Sequence, residues 1–260
     1  MNFDADSSCV DLICPAVNFG ARKPGVLSDN SSPDILLLHY TGMEDDALGS
    51  GALKWLCCEE SGVSCHYFVR ENGEVVQLLP EEKRAHHAGV GLWEADPDTN
   101  SRSIGIEIVN GGHPSGLPEF PELQMQAVAR LSKDIIARHR IEARRVLAHS
   151  DIAPGRKLDP GEKFDWAWLA NEGVGHWVEP AAIRSGRFFQ RGDNGEPVEA
   201  LQSMLSLYGY GLEISGEFDD QTHIVVEAFQ RHFRPERVDG VADISTIETL
   251  HHLLKSLPNS

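Results

Sequence analysis

The sequence has little positive charge and no long apolar run. Its 260 residues hold 23 Lys and Arg against 40 Asp and Glu, a formal net charge of −17. Nucleic-acid and anionic-membrane binding need clustered cations, so this balance argues against both. The longest apolar stretches, such as Ile35 to Leu38, fall far short of the ~20 residues of a membrane span. Residues 1–20 contain three Asp and no Lys or Arg. They therefore lack the basic start and the ~7–15 apolar residues of a secretory signal. Asp11-Leu12-Ile13-Cys14 has the outline of a lipoprotein cleavage box without those flanking features. Cysteine is scarce: five, at positions 9, 14, 57, 58 and 65, none in C-x-x-C spacing. That excludes a disulfide framework and a cysteine zinc knuckle, and an odd count of free thiols suits a reducing, cytoplasmic setting.

What is present is an ordinary globular composition, with 41% hydrophobic residues and enough length for one large or two modest domains. The character changes between Asn171 and Gly186. Before it, short β-type runs alternate with helical patterns; after it, the pattern is helical with Gly-rich turns. The expected division is a first domain over residues 1–172, a linker over 173–186 and a small three-helix domain over 187–260. In the first, Ile35 to Leu38 reads as a strand buried on both faces. Asp45 to Glu60 reads as a helix capped by Asp45 or Asp46. Cys65 to Val69 and Glu74 to Leu79 flank Asn72-Gly73, a hairpin signal. Ser103 to Val109 alternates with period two. Phe120 to Arg140 is a helix with Leu123, Ala127, Leu131 and Ile135 on its apolar side. Val146 to His149 is a short strand, and Phe164 to Ala170 a short helix. The implied class is α/β, a mixed sheet flanked by helices. In the last part, helices are expected over Glu196 to Tyr208, Asp219 to Phe233 and Asp243 to Leu254.

The chemistry-bearing residues are scattered. Twelve histidines occur without the helical H-E-x-x-H signature. His39 and His149 each follow an apolar run, and Asp159 lies ten residues past His149 in a Gly/Pro-rich loop. Two imidazoles and a carboxylate suit Zn²⁺ and leave a fourth position for water. On spacing alone the alternative stands beside it: strand-end histidines that satisfy local hydrogen bonds and an aspartate that caps a turn. Glu107 sits inside the apolar strand Ile104-Gly105-Ile106-Glu107-Ile108-Val109. It is either a partnered or functional buried carboxylate, or the polar side of an edge strand. Lys157 is either a solvated loop lysine or a cation placed beside an oxyanion.

Five segments then stand in order: HYTGM from His39, CHYFV from Cys65, HHAGV from His86, NSRSIGIEIVN from Asn100 and VLAHSDIAPGRKLDPG from Val146. Together they resemble the zinc-dependent N-acetylmuramoyl-L-alanine amidases of the AmpD/AmiD group, which share their fold with the peptidoglycan-recognition proteins. The resemblance runs from about His39 to Trp168. It places the family's metal ligands on His39, His149 and Asp159, its catalytic glutamate on Glu107, and the lysine two residues before the metal aspartate on Lys157. It implies a zinc hydrolase acting on the amide between N-acetylmuramic acid and L-alanine, with muropeptide or peptidoglycan as substrate. His87 matches the His of a cleft-lining W-H-A-G segment. His86 replaces the usual aromatic residue there, and Asn100 matches a cleft asparagine. The competing implication is a recognition protein that binds muropeptides without cutting them; such relatives typically lose metal ligands.

The last part, from RGDNGEPVEALQ at Arg191 through VDGVADISTIETL ending at Leu250, resembles the three-helix peptidoglycan-binding domain. It departs from that pattern at Ser215 and Asp219. A wall-binding domain implies the periplasm and intact peptidoglycan, against the cytoplasm and imported anhydro-muropeptides that the thiols suggest.

Overall fold

The computed structural model describes residues 2–25, 32–43 and 51–258. In chain order the strands are β1 (Leu12–Ile13), β2 (Phe19–Ala21), β3 (Ile35–Tyr40), β4 (Tyr67–Val69), β5 (Val75–Gln77), β6 (Lys83–Ala85), β7 (Ser103–Ile108) and β8 (Val146–Ala148). Six of them form one mixed sheet in the order β1-β5-β4-β7-β3-β8, while β2 and β6 pair as a separate ribbon. β4, β7, β3 and β8 are mutually parallel, so their carboxyl ends emerge along one edge. That edge is where parallel sheets characteristically hold their sites. The described helices are α1 (Ala52–Cys57), α2 (Thr99–Arg102), α3 (Glu122–His139), α4 (His149–Ile152), α5 (Trp166–Asn171), α6 (Glu196–Tyr208), α7 (Asp220–Phe233) and α8 (Ile244–Ser256).

Ile35 to His39 of β3 are buried on both faces, and alternation sends their side chains to two different partners. Leu36 and Leu38 join Ile104, Ile106 and Ile108 against Met125, Val128, Leu131 and Ile135 of α3. Ile35 and Leu37 join Leu147 against Val198, Leu201, Val225, Phe229 and Leu250 from α6, α7 and α8. Farther along the sheet, Phe68 and Val76 pack on Ala52, Leu53 and Leu56 of α1. Helices therefore cover both faces, and the C-terminal three supply part of one covering layer. The first part of residues 173–186 packs on the core as well. Val174 is fully buried and Trp177 lies on the core. His176 hydrogen-bonds Tyr208 Oη and Ser256 Oγ, each at 2.8 Å.

Several local expectations need correction. Leu123 is 61% exposed and does not belong to the apolar face of α3. Steps of four residues rotate by about 40° each on a helix, so three of them carry Leu123 off the stripe set by Leu131 and Ile135. His149 does not end a strand; it opens the turn of α4. Phe164 is buried ahead of α5, which starts at Trp166 with Asp165 as its cap. The helix expected over Asp45 to Glu60 is described from Ala52 to Cys57, and the proposed caps Asp45 and Asp46 lie outside the described residues. Asp219 and Asp243 precede their helices and cap them, accepting from the Thr222 and Thr246 N–H groups.

Candidate active site and metal centre

The carboxyl edge of the parallel strands opens into a cleft of about 330 Å³ lined by His39, His86, His87, Glu107, His149, Lys157 and Asp159, with Tyr40, Trp55 and Leu56 on its walls. The chemical groups arrive from β3, β7, α4 and the loop after α4, which carries both Lys157 and Asp159. His39 is the fifth residue of β3 and the register partner of Glu107 on β7, so the two side chains leave the sheet on one face. His149 opens α4 directly after β8. Asp159 comes from the loop beyond, and the Ser150 N–H donates to its carbonyl at 3.0 Å. The turn of α4 thus fixes two of the groups at once.

Three atoms converge. His39 Nδ1 and His149 Nδ1 are 2.9 Å apart, and Asp159 Oδ2 is 3.0 Å from each. All three residues are at most 5% exposed. They are the cluster among the described residues whose donor atoms could hold a metal ion. Burial, followed by the neighbouring His149 ring, brings the His39 pKa down to about 4, so its imidazole is neutral. Burial alone would raise the Asp159 pKa; the His149 and His39 rings outweigh it and hold the carboxyl below its usual range. Neutral imidazoles and an ionised carboxylate are the forms that ligate.

The outer contacts decide which ring nitrogen carries the proton. His149 Nε2 is 2.8 Å from the Ala88 carbonyl, which can only accept, so His149 Nδ1 keeps its lone pair. Arg156 donates to the same carbonyl at 2.7 Å. His39 Nε2 is 2.9 Å from His87 Nδ1, His87 Nε2 is 3.3 Å from Ser103 Oγ, and Ser103 Oγ donates to the Thr99 carbonyl. A chain that ends on a carbonyl runs in one direction, from His39 Nε2–H outward. Both Nδ1 lone pairs then point inward with Asp159, a donor set that suits zinc.

Glu107 lies beside this triangle. Its Oε2 is buried without a hydrogen-bond partner among the described residues. Burial raises its pKa well above the ordinary glutamate value, Asp159's charge adds to the rise, and Lys157 opposes it. A raised carboxyl pKa favours uptake and return of a proton, the behaviour of a general acid–base group. His87 is 8% exposed, turned toward His39 as well as lining the cleft. Its ring lies flat against Gly105, where a Cβ would meet His87 Nδ1 at 2.4 Å. Asn100 Oδ1 accepts from the His87 and Ala88 N–H groups, and Asn100 borders an adjoining pocket with His86 and Arg156 rather than the metal cleft itself. Tyr40, on the cleft wall, has its Oη 3.0 Å from His113 Nδ1, a pairing that sequence reasoning missed. Histidine beside tyrosine across 73 residues leaves no local pattern.

Two imidazoles and a carboxylate that converge beside a buried glutamate suit metal-assisted hydrolysis. The comparisons make the class specific. The N-acetylmuramoyl-L-alanine amidase family model matches residues 29–162, and a peptidoglycan binding domain model matches residues 194–250. N-acetylmuramoyl-L-alanine amidase AmiD of Escherichia coli is 37% identical over 235 residues, 85% of this chain and 82% of the relative. The 1,6-anhydro-N-acetylmuramyl-L-alanine amidase AmpD of Citrobacter freundii is 33% identical over 153 residues, 54% of this chain and 80% of its own. The solved structure of E. coli AmiD with anhydro-N-acetylmuramic acid-L-Ala-D-gamma-Glu-L-Lys superposes with a TM-score of 0.72 at 36% identity, covering 87% of this chain and 90% of that one. Pseudomonas aeruginosa AmpDh3 superposes with a TM-score of 0.71 at 30% identity, covering 87% and 93%. This chain belongs to the N-acetylmuramoyl-L-alanine amidase family, and its activity is hydrolysis of the amide between N-acetylmuramic acid and L-alanine. No helix among the described residues is long and apolar enough to cross a membrane.

Proposed function

We propose that the chain is a zinc amidase acting on 1,6-anhydro-muropeptides, with His39, His149 and Asp159 as the metal ligands, Glu107 as proton shuttle and Lys157 as electrostatic stabiliser. The observation that carries this reading is the triangle of Nδ1, Nδ1 and Oδ2 atoms, each within 3.0 Å of the others. When bound there, zinc supplies Lewis acidity to the scissile carbonyl and lowers the pKa of the attacking water. Glu107 accepts the proton of that water and later delivers it to the alanine nitrogen as the amide breaks. Lys157 sets its charge beside the carbonyl oxygen as that oxygen turns negative. His87 orients His39 and borders the cleft, while His86 and Asn100 line the neighbouring wall. The anhydro preference is supported by the two relatives solved with anhydromuramic peptides.

Residues 1–172 form the catalytic part of this proposal, 173–186 the connection and 187–260 a peptidoglycan-binding-like module. The odd number of cysteines supports a reducing compartment and a role in recycling imported muropeptides. Incubation with a defined anhydro-muropeptide tests the reading. Release of the free peptide, abolished by a chelator and restored by zinc, supports it. Binding without cleavage in the zinc-loaded protein overturns it in favour of a recognition protein. Cell fractionation tests the compartment.

A further inference from the structure

A carboxylate outside the catalytic set lies between the two halves of the chain. Asp151, on α4 two residues after His149, is fully buried. Its Oδ2 accepts from the Ala148 N–H at 2.8 Å, which ties down the turn that opens with His149. The remaining contacts come from the C-terminal part, from the turn after α6 and from α7. Tyr210 Oη donates to Asp151 Oδ1 at 2.7 Å, and His232 Nδ1 donates to Oδ2 at 2.6 Å. Tyr210 and His232 are each 2% exposed. The His232 ring is stacked on Trp166, with centroids 3.8 Å apart and planes 25° from parallel. The chain reaches Tyr210 through Gly209, whose φ is +138° and where a Cβ would meet the Trp93 ring at 2.4 Å. A close approach of this kind belongs to a built interface.

A buried carboxylate needs all its donors, because each one lost leaves charge in a medium that cannot solvate it. If His232 or Tyr210 is removed, Asp151 must turn toward another partner, and the Ala148–His149 backbone turns with it. That backbone sets the direction of His149 Nδ1, and the Ser150 N–H next to it holds Asp159. We propose that His232 and Tyr210 are positioning residues of the metal centre. The C-terminal module completes the active site by clamping Asp151, independently of any contact it makes with cell wall. The inference rests on the zinc reading above and deepens it.

The test is zinc affinity, measured by chelator competition on the full chain. Wild-type protein is compared with His232→Ala, Tyr210→Phe and His232→Asn, and with Leu250→Ala, which thins the same core from a different helix. His232→Ala is expected to weaken zinc binding roughly 10–100-fold, the range for lost outer-shell support, with Tyr210→Phe weaker in effect. His232→Asn retains a donor at the Nδ1 position and recovers most of the affinity. In the zinc-saturated state kcat falls while KM holds, since neither residue borders the cleft. Leu250→Ala lowers the melting temperature and leaves zinc affinity unchanged. Wild-type zinc affinity in His232→Ala, or equal weakening in Leu250→Ala, overturns the positioning role. Failure of the wild-type chain itself to bind zinc overturns the zinc reading instead.

Discussion

The roles proposed for single residues follow from which atoms already have partners. Glu107 Oε2 is buried and has no partner among the described residues, whereas the inner imidazole nitrogens face each other and Asp159. Glu107→Gln should keep one zinc per chain and lower kcat by roughly 10²–10⁴, the usual contribution of general acid–base catalysis. Metal analysis and peptide-release kinetics on one preparation check this, and undiminished turnover would refute the shuttle. Gly105 is a second case. A methyl group there collides with the His87 ring, so Gly105→Ala should push His87 away from His39 and weaken zinc binding at least tenfold. Chelator competition measures it, and unchanged affinity would show that His87 does not orient His39. In the sequence the five chemical positions were marked by the family motifs that contain them, while spacing alone left a structural alternative for each. The part His87 plays toward His39 was not marked, since that contact spans 48 residues and depends on the absent side chain of Gly105.

Among elements, the parallel strands were legible where alternation or an unbroken apolar run marked them, as in β3 and β7. The ribbon of β2 and β6 was not: three residues each, with no alternation to show. Nor was the anchoring of α3. Its carboxyl end carries Arg138 and His139, which converge on Glu81, together with Tyr67 Oη from β4 at 2.6 Å. Burial alone would raise the Glu81 pKa, but the His139, Arg138 and Tyr67 hydrogen bonds bring it down to about 2. Next to this cluster, burial and then the Arg22 charge lower the His66 pKa to about 3. Its Nδ1 accepts from the Gly105 N–H while Nε2 reaches the Lys83 carbonyl. Both groups bind protons more readily in the unfolded chain, so both withdraw stability as pH falls. His66 acts first, from about 6.5 downward. Glu81 follows below its ordinary carboxyl range, with a loss of about 3 kcal/mol once pH has passed through 2. Urea midpoints measured from pH 7 to pH 3 should fall throughout, and His66→Gln should flatten the upper part of the slope. A flat profile in that interval would contradict the assignment.

At the scale of the molecule, the sequence suggested two domains and a linker, while the packing joins them. Ile35 and Leu37 of the central strand share a core with Val225, Phe229 and Leu250 of the C-terminal helices. No local pattern could reveal this, because each half carries an apolar face that reads the same whether it meets its own helices or the other half. Phe229→Ala should cost about 3–5 kcal/mol, and the wild-type chain should unfold in one calorimetric transition. Two separate transitions, with only the later residues sensitive to Phe229→Ala, would show that the halves fold independently. Under the zinc proposal, the His39–His149–Asp159 cluster and the cleft glutamate set this chain apart from a module that only recognises muropeptides, and the position of the metal is the decisive point. Crystals of the zinc-loaded protein, measured on both sides of the zinc absorption edge, test that most directly. One anomalous peak is expected, bonded to His39 Nδ1, His149 Nδ1 and Asp159 Oδ2, with Glu107 close by and unbonded. A peak elsewhere, or a fourth protein side chain closing the coordination, would contradict the zinc proposal.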